Sequence, residues 1–162
     1  MNIKIVPTAI KDLENVIAAE RHVDNCNYIY QWTQEQHESA LNDNNQRHYV
    51  IIDENNDFCG YIILDDVADA SRSINFRRFV VTKKGQGIGK QAIDIIKRMV
   101  FTELKAHRLW LDVFTDNIPA YELYKKSGFR TEGTLVDSYL RQTGYASQHI
   151  MAILSTEYKT SN

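Results

Sequence analysis

The chain predicts a mixed α+β fold: a mostly antiparallel sheet of about seven strands, one parallel crossover of the form strand, glycine turn, helix, strand, and flanking helices. Three observations carry this expectation. Short β-rich runs recur along the whole chain, and several are joined by turn-forming clusters that favour antiparallel neighbours. The stretch Phe76 to Lys90, FRRFVVTKKGQGIGK, passes from an apolar strand through three glycines into the long apolar-periodic segment Ile88 to Leu104. Arg108 to Val113 then returns as a short apolar run, which makes this one unit parallel and right-handed.

The elements follow in order. Residues 2 to 6 alternate as a strand, and Pro7 ends them before a helical pattern with Ile10, Leu13, Val16 and Ile17 on one face. Thr33 to Gln36 fits a capping box, which starts a second helix running to about Asn42. His48 to Asp53 and Phe58 to Asp65 flank the turn cluster Glu54 to Asp57 as a hairpin, and Ile74 to Val81 adds a third meander strand. In the helix from Ile88 to Leu104, Ala92, Ile95, Ile96, Met99 and Val100 keep helical spacing. Asn117 is placed to cap another helix, with Pro119 in its first turn and Gly128 as its stop. Phe129 to Leu140 and Gln148 to Tyr158 close the chain as a hairpin turning at Gln142 to Gly144.

With 162 residues, the chain is expected to form a single domain over 1–162. A content of 43% hydrophobic and 25% charged residues excludes disordered and collagen-like classes. The formal charge of -2 carries no global signal for a nucleic-acid partner. MNIKIVPTAI lacks a charged leader with a long apolar run, and no stretch approaches a membrane span, so the expected location is cytoplasmic with no membrane partner. Cys26 and Cys59 lack metal or redox spacing; they are read as reduced, buried thiols, and no metal site is expected.

A strand ending in a glycine turn that opens a helix presents free backbone N–H groups at the positive end of a helix dipole, a socket for phosphate or pyrophosphate. A Walker A loop fails here, because Gly85 and Gly89 are one residue too close and Gln91 follows Lys90. Gly87 to Ala92 satisfies G-x-G-x-x-A, with Asp112 about 20 residues further on, so an oxidoreductase with a nucleotide cofactor is a minority reading. The preceding antiparallel strands and the lone crossover count against it. A tight turn with no ligand is the remaining alternative, weaker for three glycines than for one.

Lys84-Gly85-Gln86-Gly87-Ile88-Gly89 resembles the Arg/Gln-x-x-Gly-x-Gly/Ala loop of the GNAT superfamily of acetyl-CoA-dependent N-acetyltransferases, with Lys84 where Arg or Gln is usual. Leu111-Asp112-Val113 followed by Asn117, Ala120, Leu123-Tyr124 and Gly128-Phe129 resembles that superfamily's second signature. The ending from Glu132 to Leu154 is similar to the branch of ribosomal-protein and polyamine acetyltransferases. The resemblance implies acetyl-CoA as cosubstrate, with the pantetheine arm along the backbone of Phe79, Val80 and Val81. It also implies a pyrophosphate held by the loop Gly85, Gln86, Gly87, Ile88, Gly89 and Lys90, charge from Lys84 and Lys90, and contacts from Asn117 and Ala120.

Acetyl transfer from a thioester to an amine needs a neutral amine, polarisation of the carbonyl and a proton for the leaving thiolate. Tyr124 matches the family's tyrosine acid, and a backbone N–H near Val80 or Val81 would polarise the carbonyl. Some relatives place a Glu on the fourth strand as base, where this chain offers Asn75, Arg77 and Arg78; Glu20, Glu35, Asp112 and His149 are the other candidates. The expected activity is N-acetylation of a primary amine by direct attack in a ternary complex, the acceptor being a polyamine-like small molecule or a peptide N-terminus. A non-catalytic acyl-CoA-binding or sensing module is the alternative. The aromatics Tyr28, Tyr30, Trp32, Tyr139 and Tyr145 and the acids Glu35, Asp65 and Asp66 are candidate acceptor contacts, and exposed edges in the last hairpin are compatible with a homodimer.

Overall fold

Within the central run Phe58 to Asp65, successive positions are apolar and buried, so both faces of the sheet need cover, and helices supply it on each side. The computed structural model describes residues 1–160. Its strands are β1 (Ile3–Pro7), β2 (Arg47–Asp53), β3 (Phe58–Asp65), β4 (Ser73–Val81), β5 (Arg108–Phe114), β6 (Arg130–Arg141) and β7 (Gly144–Leu154). They form a seven-stranded sheet in the order β1-β2-β3-β4-β5-β7-β6. The β4–β5 pair is parallel and the other pairs are antiparallel.

The helices are α1 (Leu13–Arg21), α2 (Gln34–Leu41), α3 (Ile88–Arg98), α4 (Ile118–Lys126) and α5 (Ser155–Thr160). On one face Leu13, Val16 and Ala19 of α1 and Ala40 of α2 pack with Val50, Tyr61, Ile63 and Val80. On the other, Ile88, Ala92, Ile93 and Ile96 of α3 pack with Ile51, Ile62, Leu64 and Ile74. The Thr33 capping box forms, with Gln36 N–H on Thr33 Oγ1 at 3.2 Å and Thr33 N–H on Gln36 Oε1 at 2.8 Å. Gly128 stops α4 at a positive φ of 97°. Among the described residues no helix is long and apolar enough to cross a membrane.

Three expectations are corrected. The last strand does not run to Tyr158: Glu157 Oε1 accepts Leu154 N–H at 3.0 Å and Tyr158 stacks on Phe101, which turns the chain into α5. The long helix leaves α geometry at Met99–Glu103, where a π turn keeps Val100 and Phe101 buried. Cys26 is exposed and only Cys59 is buried, because the segment after α1 folds as turns on the surface with Asn25 as its anchor, donating to Ala19 O at 2.9 Å.

Candidate active site

Parallel β4 and β5 hold together only over Ser73↔Arg108, Ile74↔Leu109 and Asn75↔Trp110. Beyond these pairs the strands part. Phe76 and Arg78 to Val81 pair only with β3, and Leu111 to Phe114 only with β7. The separation frees one edge of β4 to hydrogen-bond a ligand and opens a cavity of about 1050 Å³. Its walls come from β4, the glycine loop, β5, α4, the segment after α1 and the β6–β7 hairpin.

Phe79, Val80, Val81, Lys84, Gly85, Gly87, Ile88, Gly89, Asn117, Ala120 and Tyr124 all line this cavity. The side chains of Gln86 and Lys90 do not, and Lys90 is turned outward into a pair with Asp94 at 2.8 Å. Gly85 and Gly87 both have φ of 76°, a left-handed conformation that explains glycine at each. Gly87 is the N-cap of α3 and has no side chain to cover the free amides, which suits an anion. Lys84 sits at the cavity wall and donates to Asn25 Oδ1 at 3.2 Å. The side chain of Asn117 makes no capping bond, so the expected capping role is not fulfilled by it, and the residue faces the cavity instead.

Tyr124 comes from α4 with its ring packed edge-on to Phe76 and Phe129. Its hydroxyl has no hydrogen-bond partner among the described residues. Burial first, and the Asp112 carboxylate second, hold the phenol well above its usual range, so it stays protonated. Asp112 projects from β5 into the same cavity, open to its interior yet crowded by protein. That crowding raises its carboxyl, against the opposing pull of Arg77 and a hydrogen bond from Gln148. A protonated phenol and a carboxylate of raised pKa therefore face one space, as a general acid and a proton acceptor must.

The other candidate bases are elsewhere. His149 packs on Tyr121 and shares a hydrogen bond with Thr134, and Glu35 is absent from the cavity walls. Tyr28, Tyr30 and Tyr139 do line the cavity, whereas Trp32, Tyr145, Asp65 and Asp66 do not.

Glu20, the remaining candidate base, does not line the cavity but lies behind its wall, in a buried network that sequence reasoning missed. Glu20 is fully buried and accepts from Tyr61 OH at 2.7 Å, Arg78 NH1 at 2.9 Å and the Trp32 backbone N–H at 3.0 Å. His37 Nε2 lies 2.9 Å from the same Oε1, close enough to act on the carboxylate though off ideal hydrogen-bond alignment. From His37 the contacts continue to His48 at 3.0 Å and to Thr8 at 2.8 Å. Burial alone would raise the Glu20 carboxyl; His37, Tyr61 and Arg78 together hold it low. The signal was present: Glu20 continues the apolar stripe of Leu13 and Val16, where a glutamate demands a buried partner.

The acetyltransferase (GNAT) family model matches residues 17–129. A spermidine N(1)-acetyltransferase of Vibrio cholerae is 27% identical over 83% of this chain and 84% of its own length. An L-amino acid N-acetyltransferase of Escherichia coli is 36% identical over 43% of each. Among solved structures, a spermidine N-acetyltransferase from Vibrio cholerae in complex with CoA and spermine superposes with a TM-score of 0.89 at 23% identity, covering 97% of this chain and 98% of that one. The matched span holds the splayed strands, the glycine loop and Tyr124, and this chain belongs to the GNAT family of acetyltransferases.

Proposed function

We propose that the chain moves the acetyl group of acetyl-CoA directly onto a primary amine in a ternary complex, with Tyr124 as acid and Asp112 as the carboxylate that receives the ammonium. The parting of β4 and β5 carries this reading. The pantetheine arm pairs with the free edge of β4 at Phe79 to Val81, and the amides of Gly85 to Lys90 hold the pyrophosphate. The ammonium gives its proton to Asp112, and the neutral nitrogen attacks the thioester carbonyl polarised by a β4 amide. As the C–S bond breaks, Tyr124 protonates the leaving sulfur, and the tetrahedral nitrogen returns its second proton to the Tyr124 phenolate while Asp112 releases the first to solvent. The names of the relatives supply two acceptor classes, a polyamine and an amino acid.

The non-catalytic alternative has the absence of a carboxylate on β4 as its motive. Asp112 on the neighbouring strand removes that motive. The test is thiol release from acetyl-CoA with polyamines, amino acids and peptides, in wild type and Tyr124→Phe. The variant should lose on the order of 100-fold in turnover and bind acetyl-CoA within about twofold of wild type by calorimetry, as expected for a group acting late in the reaction. Equal rates in the two proteins would remove Tyr124 as the acid.

A further inference from the structure

Successive residues of a strand point to opposite faces, yet Arg77 and Arg78 meet at one place. The cause is a bulge. Ile63 pairs with Arg78 and Leu64 with Phe76, so Arg77 has no partner on β3. Both guanidinium groups therefore reach the Trp32 ring, with Cζ at 5.1 and 4.6 Å from its centroid, and both residues line the cavity. Trp32 is buried and tied through its backbone to Glu20, so the platform is fixed from behind. Arg77 donates through NH1 to Asp65 at 2.6 Å, and Arg78 through NH1 to Glu20 at 2.9 Å. A guanidinium has five N–H donors in a planar fork, so Arg77, the more exposed of the two, keeps most of its donors, and Arg78 keeps those not engaged with Glu20 and Tyr61.

The acids along the cavity wall are Asp24, which faces His22 at 3.6 Å, and Asp112; the bases are Arg77, Arg78, Lys83 and Lys84. Lys83 pairs with Asp53, and Lys84 contacts Asn25, the neighbour of Asp24, beside the glycine loop; Asp112 is then the cavity-lining carboxylate that faces Arg77 and Arg78, whose own partners Asp65 and Glu20 lie outside the cavity wall. A polyamine, carrying several ammonium groups and no anion, meets a poor match there. A molecule that carries one ammonium and one carboxylate meets a partner for each.

From this arrangement we infer that the acceptor is a small amino carboxylate such as a free α-amino acid, its ammonium on Asp112 and its carboxylate on the Arg77–Arg78 pair above Trp32. This inference rests on the acetyl-transfer reading and narrows its substrate. Arg77 and Asp112 each stand two residues beyond Asn75↔Trp110, the last paired position of β4 and β5, which places the two charges at the same level of the parting, and Arg77 opposes the rise of that carboxyl. Planar guanidinium groups recognise carboxylates through paired hydrogen bonds, and a site built for such a pair rejects a ligand that leaves its donors unfilled.

The test compares each L-amino acid with its own α-carboxamide and with spermidine at saturating acetyl-CoA. A carboxamide has the less basic amine and the larger neutral fraction, so any preference for the free acid opposes intrinsic reactivity. The expected result is kcat/KM at least about tenfold higher for the best amino acid than for its carboxamide or spermidine. Arg77→Gln should bring that ratio towards one through a higher KM for the acid. Calorimetry of N-acetyl amino acids and N-acetylspermidine binding to the CoA-loaded wild-type protein gives a second readout that needs no turnover. A carboxamide or spermidine used equally well, or N-acetylspermidine binding as tightly as every N-acetyl amino acid, overturns the inference. Absence of turnover with every amine would refute acetyl transfer, and the calorimetric comparison would still decide whether the site selects a carboxylate.

Discussion

A carboxylate removed from water costs several kcal/mol unless its lone pairs are filled, and Glu20 meets that demand with Tyr61, Arg78 and the Trp32 amide. The same contacts make it vulnerable to substitution. In Glu20→Gln the buried Arg78 guanidinium loses its counter-charge, and one end of the amide presents an N–H group to other donors. Stability should fall by about 3 kcal/mol or more, measured by urea unfolding. The double variant Glu20→Gln/Arg78→Met should lose less than the sum of the two single losses, since it removes the stranded charge as well. Additive losses would show that the pair is not coupled. Arg78 joins this buried network to the cavity wall, so the same residue belongs to core and site.

Among the elements, β4 does most to define the site, because it is anchored to β3 from Asn75 to Val81, with a bulge at Arg77, and to β5 only at its start. Its approach to β3 requires Gly60, which has φ of 152°; a Cβ there would stand 2.0 Å from the Val80 carbonyl oxygen. Gly60→Ala must push β4 away from β3 and move Val80 and Val81 at the cavity wall. We expect it to cost about 2 kcal/mol or more in urea unfolding and to weaken acetyl-CoA binding by calorimetry. Gly133→Ala is the control, with no atom within 4 Å of the added carbon, and should change stability by less than about 0.5 kcal/mol. A Gly60→Ala protein as stable as the control would show that β4 can give way at no cost. The glycine loop presents the opposite case: Gly85 and Gly87 have open space around them, and backbone conformation alone calls for glycine.

Across the whole molecule, the contacts from Thr8 through His48 and His37 to Glu20 join β2, β3 and β4 to both N-terminal helices. Burial, and then the nearby His37, push the His48 pKa from 6.5 down to about 3. Between those values the unfolded chain binds a proton that the folded protein refuses, so stability falls as pH drops from 6.5 towards 3, by at most about 1.4 kcal/mol per pH unit from this group. The melting temperature should decline over that window, and His48→Gln should flatten the decline between pH 6.5 and 5, above the range where most carboxylates titrate. Parallel profiles for the two proteins would remove His48 as the cause. Much of this architecture was legible in the chain. The Thr33 capping box and the glycine turn depend on neighbours within a few residues, and that local chemistry together with the strand order indicated the fold, while the resemblance of the glycine loop and the Asn117 to Phe129 signature indicated the family and the place of Tyr124. Charges are different, because which of them meet depends on strands far apart in sequence. Glu20 meets Arg78 across 58 positions; Arg77 reaches Trp32 because a bulge cancels the alternation of β4; and Asp112 enters the cavity because β5 leaves β4 after Trp110. Periodicity records which face a residue is on, and only the folded sheet decides what stands opposite it.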